Sequence, residues 1–301
     1  MRAHDQGAVL VPVDFSEVSS HAMDHASAMA RIFGYHIYLL HIIPRKQKTK
    51  ANASDAEKAL AELAKNLSDH NGLMVTHLIR SGQVIETITE TADQLKVDFI
   101  VIGADKKKGQ KHLVGSYPYK LVCSASVPTL VVKEKNQHVG YHNIVIPIDF
   151  SRRSTQKVTQ AAKFSRFFGA RIRVFGFLSH DNKAKIINKE ALLKRVTNFF
   201  EENNVPVTAD LLINPDYSWP EALLNFADEV MADLIMIVAE KGSRIQEIFT
   251  PNYAERILDK SEIPVLSIVP CAEDIIDESA PEKKSILSPF VDPLGLMLRP
   301  K

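Results

Sequence analysis

Residues 9–16 read VLVPVDFS, and residues 144–151, about 135 positions downstream, read IVIPIDFS. Further along, SVPTLVV at 126–132 is answered by EIPVLSI at 262–268 with almost the same offset. A period this long is a duplicated domain, because the units that stack into solenoids repeat every ~20–50 residues. The chain has 301 residues, which suits two domains of ordinary size, each able to bury its own core.

Each copy alternates strand-like and helix-like segments. Val9 to Phe15 is an apolar run rich in β-branched residues, and Ser16 is placed to cap a helix. Ala22, Ala26, Met29, Ala30 and Phe33 then recur at helical spacing until Gly34 stops them. Strands follow at 36–43, 74–80, 98–102 and 129–133, with helices at 54–70, 83–95 and 116–125 between them. The second copy repeats this order from 144 to 269. Strands alternating with helices imply a parallel sheet with right-handed crossovers and helices on both faces. The continuously apolar runs DFIVIG and DLIMIVA fit strands covered on both sides. The fold class expected is therefore α/β, as two tandem doubly wound five-stranded domains at 1–138 and 139–271. Residues 272–301 break the repeat and form a tail, either disordered or docked through ILSPF and LGLML.

Composition narrows the function classes. Lys and Arg number 37 against 36 Asp and Glu, a net charge of +1, which argues against a general affinity for nucleic acid or membrane surfaces. Cys123 and Cys271 lie far apart, a usage that suits a reducing compartment and supplies neither a disulfide framework nor a cysteine zinc site. No signal peptide or apolar stretch of ~18 residues is visible, so a cytoplasmic location is expected. P-loop, dinucleotide and nucleophile-elbow motifs are absent, and no catalytic constellation assembles.

In a doubly wound sheet a ligand binds beyond the carboxyl ends of the strands, where the strand order reverses. Pro12, Asp14 and Ser16 lie at the end of the first strand. Gly103 lies at the end of the fourth, followed by ADKKKGQKHLVGSY, in which Gly109, Gly115, Ser116 and Tyr117 stand before a helix. Glycines let backbone approach phosphate oxygens, helix N-terminal amides bind anions, and lysines 106–108 and 111 add charge. Plainer roles compete. Asp14 and Asp149 serve equally well as turn or cap carboxylates, and the lysine run as a solvated loop. His21 and His25, at i and i+4 beside Asp24, have a metal-binding spacing that a surface helix face explains as well. His41 lies near the same strand ends, either lining a pocket or hydrogen-bonded in the core. Trp219 precedes Pro220 at a helix start, exposed at an interface or packed under a loop.

VPVDFS, the LLHII strand and the G…GS segment followed by VPTLVV together resemble the universal stress protein family, and both halves look like its tandem members. The resemblance covers about 1–133 and 142–269. It implies a strand order of 3-2-1-4-5, an adenine-nucleotide alpha-hydrolase-like arrangement, and final strands at sheet edges that pair with each other, here within one chain as a pseudo-dimer. Further homodimer assembly stays open. It also implies ATP or another adenine nucleotide, with or without Mg²⁺, in the crevice. Asp14 would then lie near the ribose, the backbone at Ile42 at the adenine, Gly103 at the loop entrance, and Gly115 and Ser116 at phosphate.

The sequence departs from the family's Gly-x2-Gly-x9-Gly-Ser/Thr pattern. Lys106 replaces the second glycine, and the loop is one residue shorter, with Gly109 as the shifted source of flexibility. The second copy retains Asp149 and Gly242, but Ala239 replaces the first glycine and Pro251-Asn252 replaces Gly-Ser. The function expected is a nucleotide-responsive binding module in stress response, binding in the first half, with any ATP hydrolysis slow and incidental. The alternative is a scaffold of the same fold that binds no nucleotide.

Overall fold

The computed structural model describes residues 7–47, 49–104, 117–133, 139–148, 154–178, 183–213, 216–238 and 253–269. The first half runs β1 (Ala8–Pro12), α1 (Glu17–Phe33), β2 (His36–Ile43), a 3₁₀ turn (Arg45–Gln47), α2 (Lys50–Asn71), β3 (Val75–Ser81), α3 (Val84–Leu95), β4 (Phe99–Gly103), α4 (Tyr117–Ser124) and β5 (Thr129–Val132). The second half runs β6 (Asn143–Ile148), α5 (Ser154–Phe168), β7 (Arg171–Leu178), α6 (Lys183–Glu202), β8 (Val207–Ile213), α7 (Trp219–Glu229), β9 (Leu234–Val238), α8 (Tyr253–Lys260) and β10 (Val265–Ile268).

Helix boundaries follow from their caps. Ser16 accepts a hydrogen bond from the Ser19 amide at the start of α1, and Gly34, at φ 69°, closes the helix with its N–H on the Ala30 carbonyl. Helix α2 begins earlier than its alanine/leucine face suggests. Thr49 caps it by accepting from the Asn52 amide at 3.1 Å, which draws the polar stretch Lys50–Ala53 into the helix. A reciprocal Ser218–Glu221 capping box starts α7, with proline in its first turn.

The two five-stranded sheets expected from the repeat are one ten-stranded sheet, ordered β3-β2-β1-β4-β5-β10-β9-β6-β7-β8. The first five strands run 3-2-1-4-5 and the last five repeat that order in the opposite sense. Every neighbouring pair is parallel except β5 and β10, which join the halves antiparallel with Leu130 opposite Leu266 and Val131 opposite Val265. Both joining strands are apolar and buried along their length. Left apart, each would present a row of unpaired backbone groups beside an apolar surface, so pairing them satisfies hydrogen bonds and buries side chains at once. The pairing of final strands within the chain is thus met.

Strand alternation feeds two continuous cores, one per face. Val9, Val11, Leu39 and Val101 point to the α1 side, whereas Leu10, Leu40, Ile100 and Ile102 point to the α3 side. The α1 side is bridged between halves by aromatic rings. Phe33 of α1 meets Phe167 of α5 with centroids 4.6 Å apart, and Tyr141 meets Phe168 at 4.9 Å. The phenol of Tyr141 hydrogen-bonds Nδ1 of His25 at 2.7 Å, and both side chains are buried. That contact pins the segment entering β6 to α1. His25 is consequently a core residue. The metal reading of His21 and His25 fails because one of the pair faces Tyr141 from inside the protein.

Candidate functional site at the carboxyl ends of β1 and β4

The strand order reverses between β1 and β4, and their carboxyl ends define the crevice. Pro12 closes β1 opposite Leu40, and the Val13 amide extends the ladder by one bond, 2.8 Å to the Leu40 carbonyl. The chain then turns sharply. Phe15 takes a left-handed backbone (φ 64°), unusual for a bulky residue, and leaves 43% of its surface exposed. Its ring lies against His41, centroids 4.7 Å apart, and His41 hydrogen-bonds the Val13 carbonyl through Nδ1 at 2.7 Å. A carbonyl only accepts, so Nδ1 carries the proton. His41 therefore braces the β1 turn from the α1 face.

Asp14 stands at the head of this turn, open to solvent. Its Oδ1 accepts from the Ser16 amide at 3.0 Å and from the Ser16 hydroxyl. The Ser16 oxygen in turn accepts from Ser19 N at 3.3 Å, so the carboxylate supports the helix cap rather than serving as the cap itself. Desolvation opposes ionisation of Asp14, but hydrogen bonds from Ser16 and the Ser19 hydroxyl outweigh it and hold the carboxyl below its ordinary range. The turn role weighed for Asp14 is real, and it leaves the residue as a fixed negative charge. Tyr117, first residue of α4, feels that charge. Although 37% of the residue is exposed, desolvation and then the Asp14 charge push its phenol up from the ordinary tyrosine range.

Gly103 ends β4 directly beneath α1. A Cβ there would stand 2.3 Å from the Val18 carbonyl oxygen and 2.9 Å from the Ser19 amide nitrogen. The glycine is required by the close approach of helix to strand, a reason distinct from any ligand. Ile42, half-buried on β2 opposite Arg80, joins the core on the α3 side, the face that α4 covers. Pro12, Asp14, Ser16, Gly103 and Tyr117 thus gather at one edge, with Ile42 beside them on β2. Gly109, Gly115, Ser116 and the loop lysines lie outside the described residues, as do Asp149, Ala239, Gly242, Pro251 and Asn252. Among the described residues no group of three His, Cys, Asp or Glu could hold a metal ion, and no helix is long and apolar enough to cross a membrane.

Two features of this region escape a reading of the sequence. One is the exposed Phe15 ring, whose signal was a bulky apolar residue between Asp14 and Ser16, just past a strand end. The other is in the second half, where Trp219 and Tyr253 open α7 and α8 and meet edge to face at 4.6 Å. By the repeat they match Val84 and Tyr117, which open α3 and α4.

The universal stress protein family model matches residues 7–133. Universal stress protein G of Salmonella typhimurium is 30% identical over 140 residues, covering 42% of this chain and 97% of that protein. The chain belongs to the universal stress protein family. A crystal structure of a universal stress protein from Archaeoglobus fulgidus superposes with a TM-score of 0.70 at 17% identity, covering 87% of this chain and 98% of the other, which establishes the shared fold across both halves of the sheet. A universal stress protein of Archaeoglobus fulgidus in complex with dAMP is 24% identical, with a TM-score of 0.36 over 42% of this chain and 98% of its own.

Proposed function

We propose that the protein is an adenine-nucleotide-responsive binding module of the stress response, made of two universal stress protein units at 1–138 and 139–271, acting in the cytoplasm, and loading nucleotide in the first unit. One observation carries the reading: a solvent-open Asp14, held below its ordinary carboxyl range by hydrogen bonds from Ser16, is fixed where the strand order reverses between β1 and β4. A fixed carboxylate accepts hydrogen bonds from vicinal ribose hydroxyls, and the amides opening α4 suit phosphate oxygens. Ile42 supplies an apolar flank for the base. These residues fit a nucleotide held as a ligand, with Gly115 and Ser116 contributing phosphate donors and Mg²⁺ accompanying ATP.

Restriction to the first unit is supported by two features of the second. Pro251 lacks the amide that a phosphate would need, and the Trp219–Tyr253 pair occupies the neighbourhood that Val84 and Tyr117 frame in the first unit. A scaffold that binds no nucleotide is the second reading, favoured by Lys106 where the family pattern has glycine.

Mass spectrometry of gently purified protein, with thermal melts in ATP with and without Mg²⁺, separates the two. Ligand at about 100 times its dissociation constant stabilises the fold by about 2.7 kcal/mol. Asp14→Ala removes that gain. If ATP neither binds nor shifts melting, the scaffold reading stands, and loss on Asp149→Ala alone would move the site to the second unit.

A further inference from the structure

The ten-stranded sheet has two open ends. β3 ends the first half and β8 the second, and among the described residues no strand pairs with the outer side of either. Each is seven residues long, VTHLIRS in β3 and VTADLLI in β8. An edge strand offers its backbone N–H and C=O groups to any chain that can lie beside it, and natural edges are commonly blunted by charge. Here the two edges carry exposed charges of opposite sign, Arg80 on β3 and Asp210 on β8. Neither side chain forms a hydrogen bond or ion pair with another described residue. Two-fold pairing of β3 with β3, or of β8 with β8, centred on these residues sets like charges opposite each other, which is destabilising. Pairing β3 with β8 sets unlike charges together.

The topology fixes how such a pair would lie. β3 and β8 run in opposite directions, because the halves join antiparallel through β5 and β10 while the other neighbours are parallel. A second copy laid end to end with the same face up therefore brings its β8 antiparallel to β3. Setting Arg80 opposite Asp210 then sets Ile79 opposite Leu211, Leu78 opposite Leu212, Ser81 opposite Ala209 and His77 opposite Ile213. These pairs also agree by face. Ile79 and Leu211 both pack on the α1-side core, and Leu78 and Leu212 both pack on the α3-side core. A slip of one residue would set the α1-side core of one copy against the α3-side core of the next. A slip of two would keep the faces but part the charges. One register satisfies both conditions, and it covers Ile213, which is otherwise 45% exposed.

We propose that β3 of one chain pairs antiparallel with β8 of a second copy, Arg80 on Asp210, so that the protein assembles head to tail. Because the two mating edges differ, each added chain leaves one of each open, and the product is a ring or a filament rather than a closed dimer. Sedimentation velocity of the full-length protein over a concentration series tests this. The parent should form species larger than a dimer that grow with concentration. Arg80→Asp and Asp210→Arg should each lose those species, since either change gives both edges the same sign. Both side chains are exposed, so the variants should melt with the parent. Mixing the two single variants, or combining both substitutions in one chain, should restore assembly, because unlike charges meet again. A parent that stays monomeric throughout, growth that stops at two chains, larger species that survive in the single variants, or no recovery in the double variant would each overturn the proposal. The readout needs no nucleotide, so it stands or falls separately from ATP binding in the first half.

Discussion

Replacing Tyr141 by Phe removes one hydroxyl from the seam between the halves and little else. The oxygen lost lies 2.7 Å from His25 Nδ1, with Tyr141 1% and His25 0% exposed, so no bulk water replaces it. Leaving a buried partner short of a hydrogen bond costs about 1–3 kcal/mol. Unfolding entropy of about 2.1 cal/mol/K per residue over the chain converts that to a fall in Tm of about 2–5 °C. The effect should also depend on pH in a defined direction. Burial, and then the charge of Asp233, raise the Tyr141 phenol far above its ordinary value near 10. The folded state therefore keeps a proton that the unfolded chain gives up. Stability from this group is complete below pH 10 and declines above it by about 1.4 kcal/mol per pH unit. The Phe variant has no such group to lose. Its deficit at neutral pH should shrink above pH 10 and vanish between about pH 11 and 12. Urea unfolding of both proteins from pH 7 to 11.5 provides the comparison. Parallel stability curves over that range, or a Phe variant as stable as the parent at pH 7, would refute the assigned contact.

Two further outcomes follow from the packing. Gly103→Ala places a methyl group 2.3 Å from the Val18 carbonyl, so α1 must move; a loss of about 1–3 kcal/mol in urea unfolding is expected even without ligand. Leu266→Ala opens a hole opposite Leu130 at the centre of the sheet, costing about 2–5 kcal/mol, and calorimetry should show it lowering the melting of both halves together rather than one of two separate transitions.

Local order was largely written in the chain. β2 occupies the residues that alternation and turn signals assign, and Ser16 and Gly34 mark the ends of α1 by ordinary capping chemistry. The edge character of β5 and β10 was also legible through family likeness, since short apolar final strands need a partner. What escaped notice depends on long-range packing. Nothing in the spacing of His21 and His25 reveals that a tyrosine 116 residues away turns one of them into a core group. The steric need for glycine at position 103 was hidden for a similar cause, since only the crossing of α1 over β4 shows the backbone it must clear. In the structure Pro12 ends β1, Asp14 and Ser16 lie in the turn that follows, and Tyr117 opens α4. The bracing of Asp14 by Ser16 gives its carboxylate a structural role in the turn that leads into α1.

The β5–β10 junction sets how the assembly responds to abundance. Sheets that meet across separate chains come apart when those chains are scarce, and their stability varies with copy number. Here the two joining strands are tethered to each other, so their meeting is unimolecular and its equilibrium has no concentration in it. A cell holding a handful of molecules would carry the same ten-stranded body as one holding thousands.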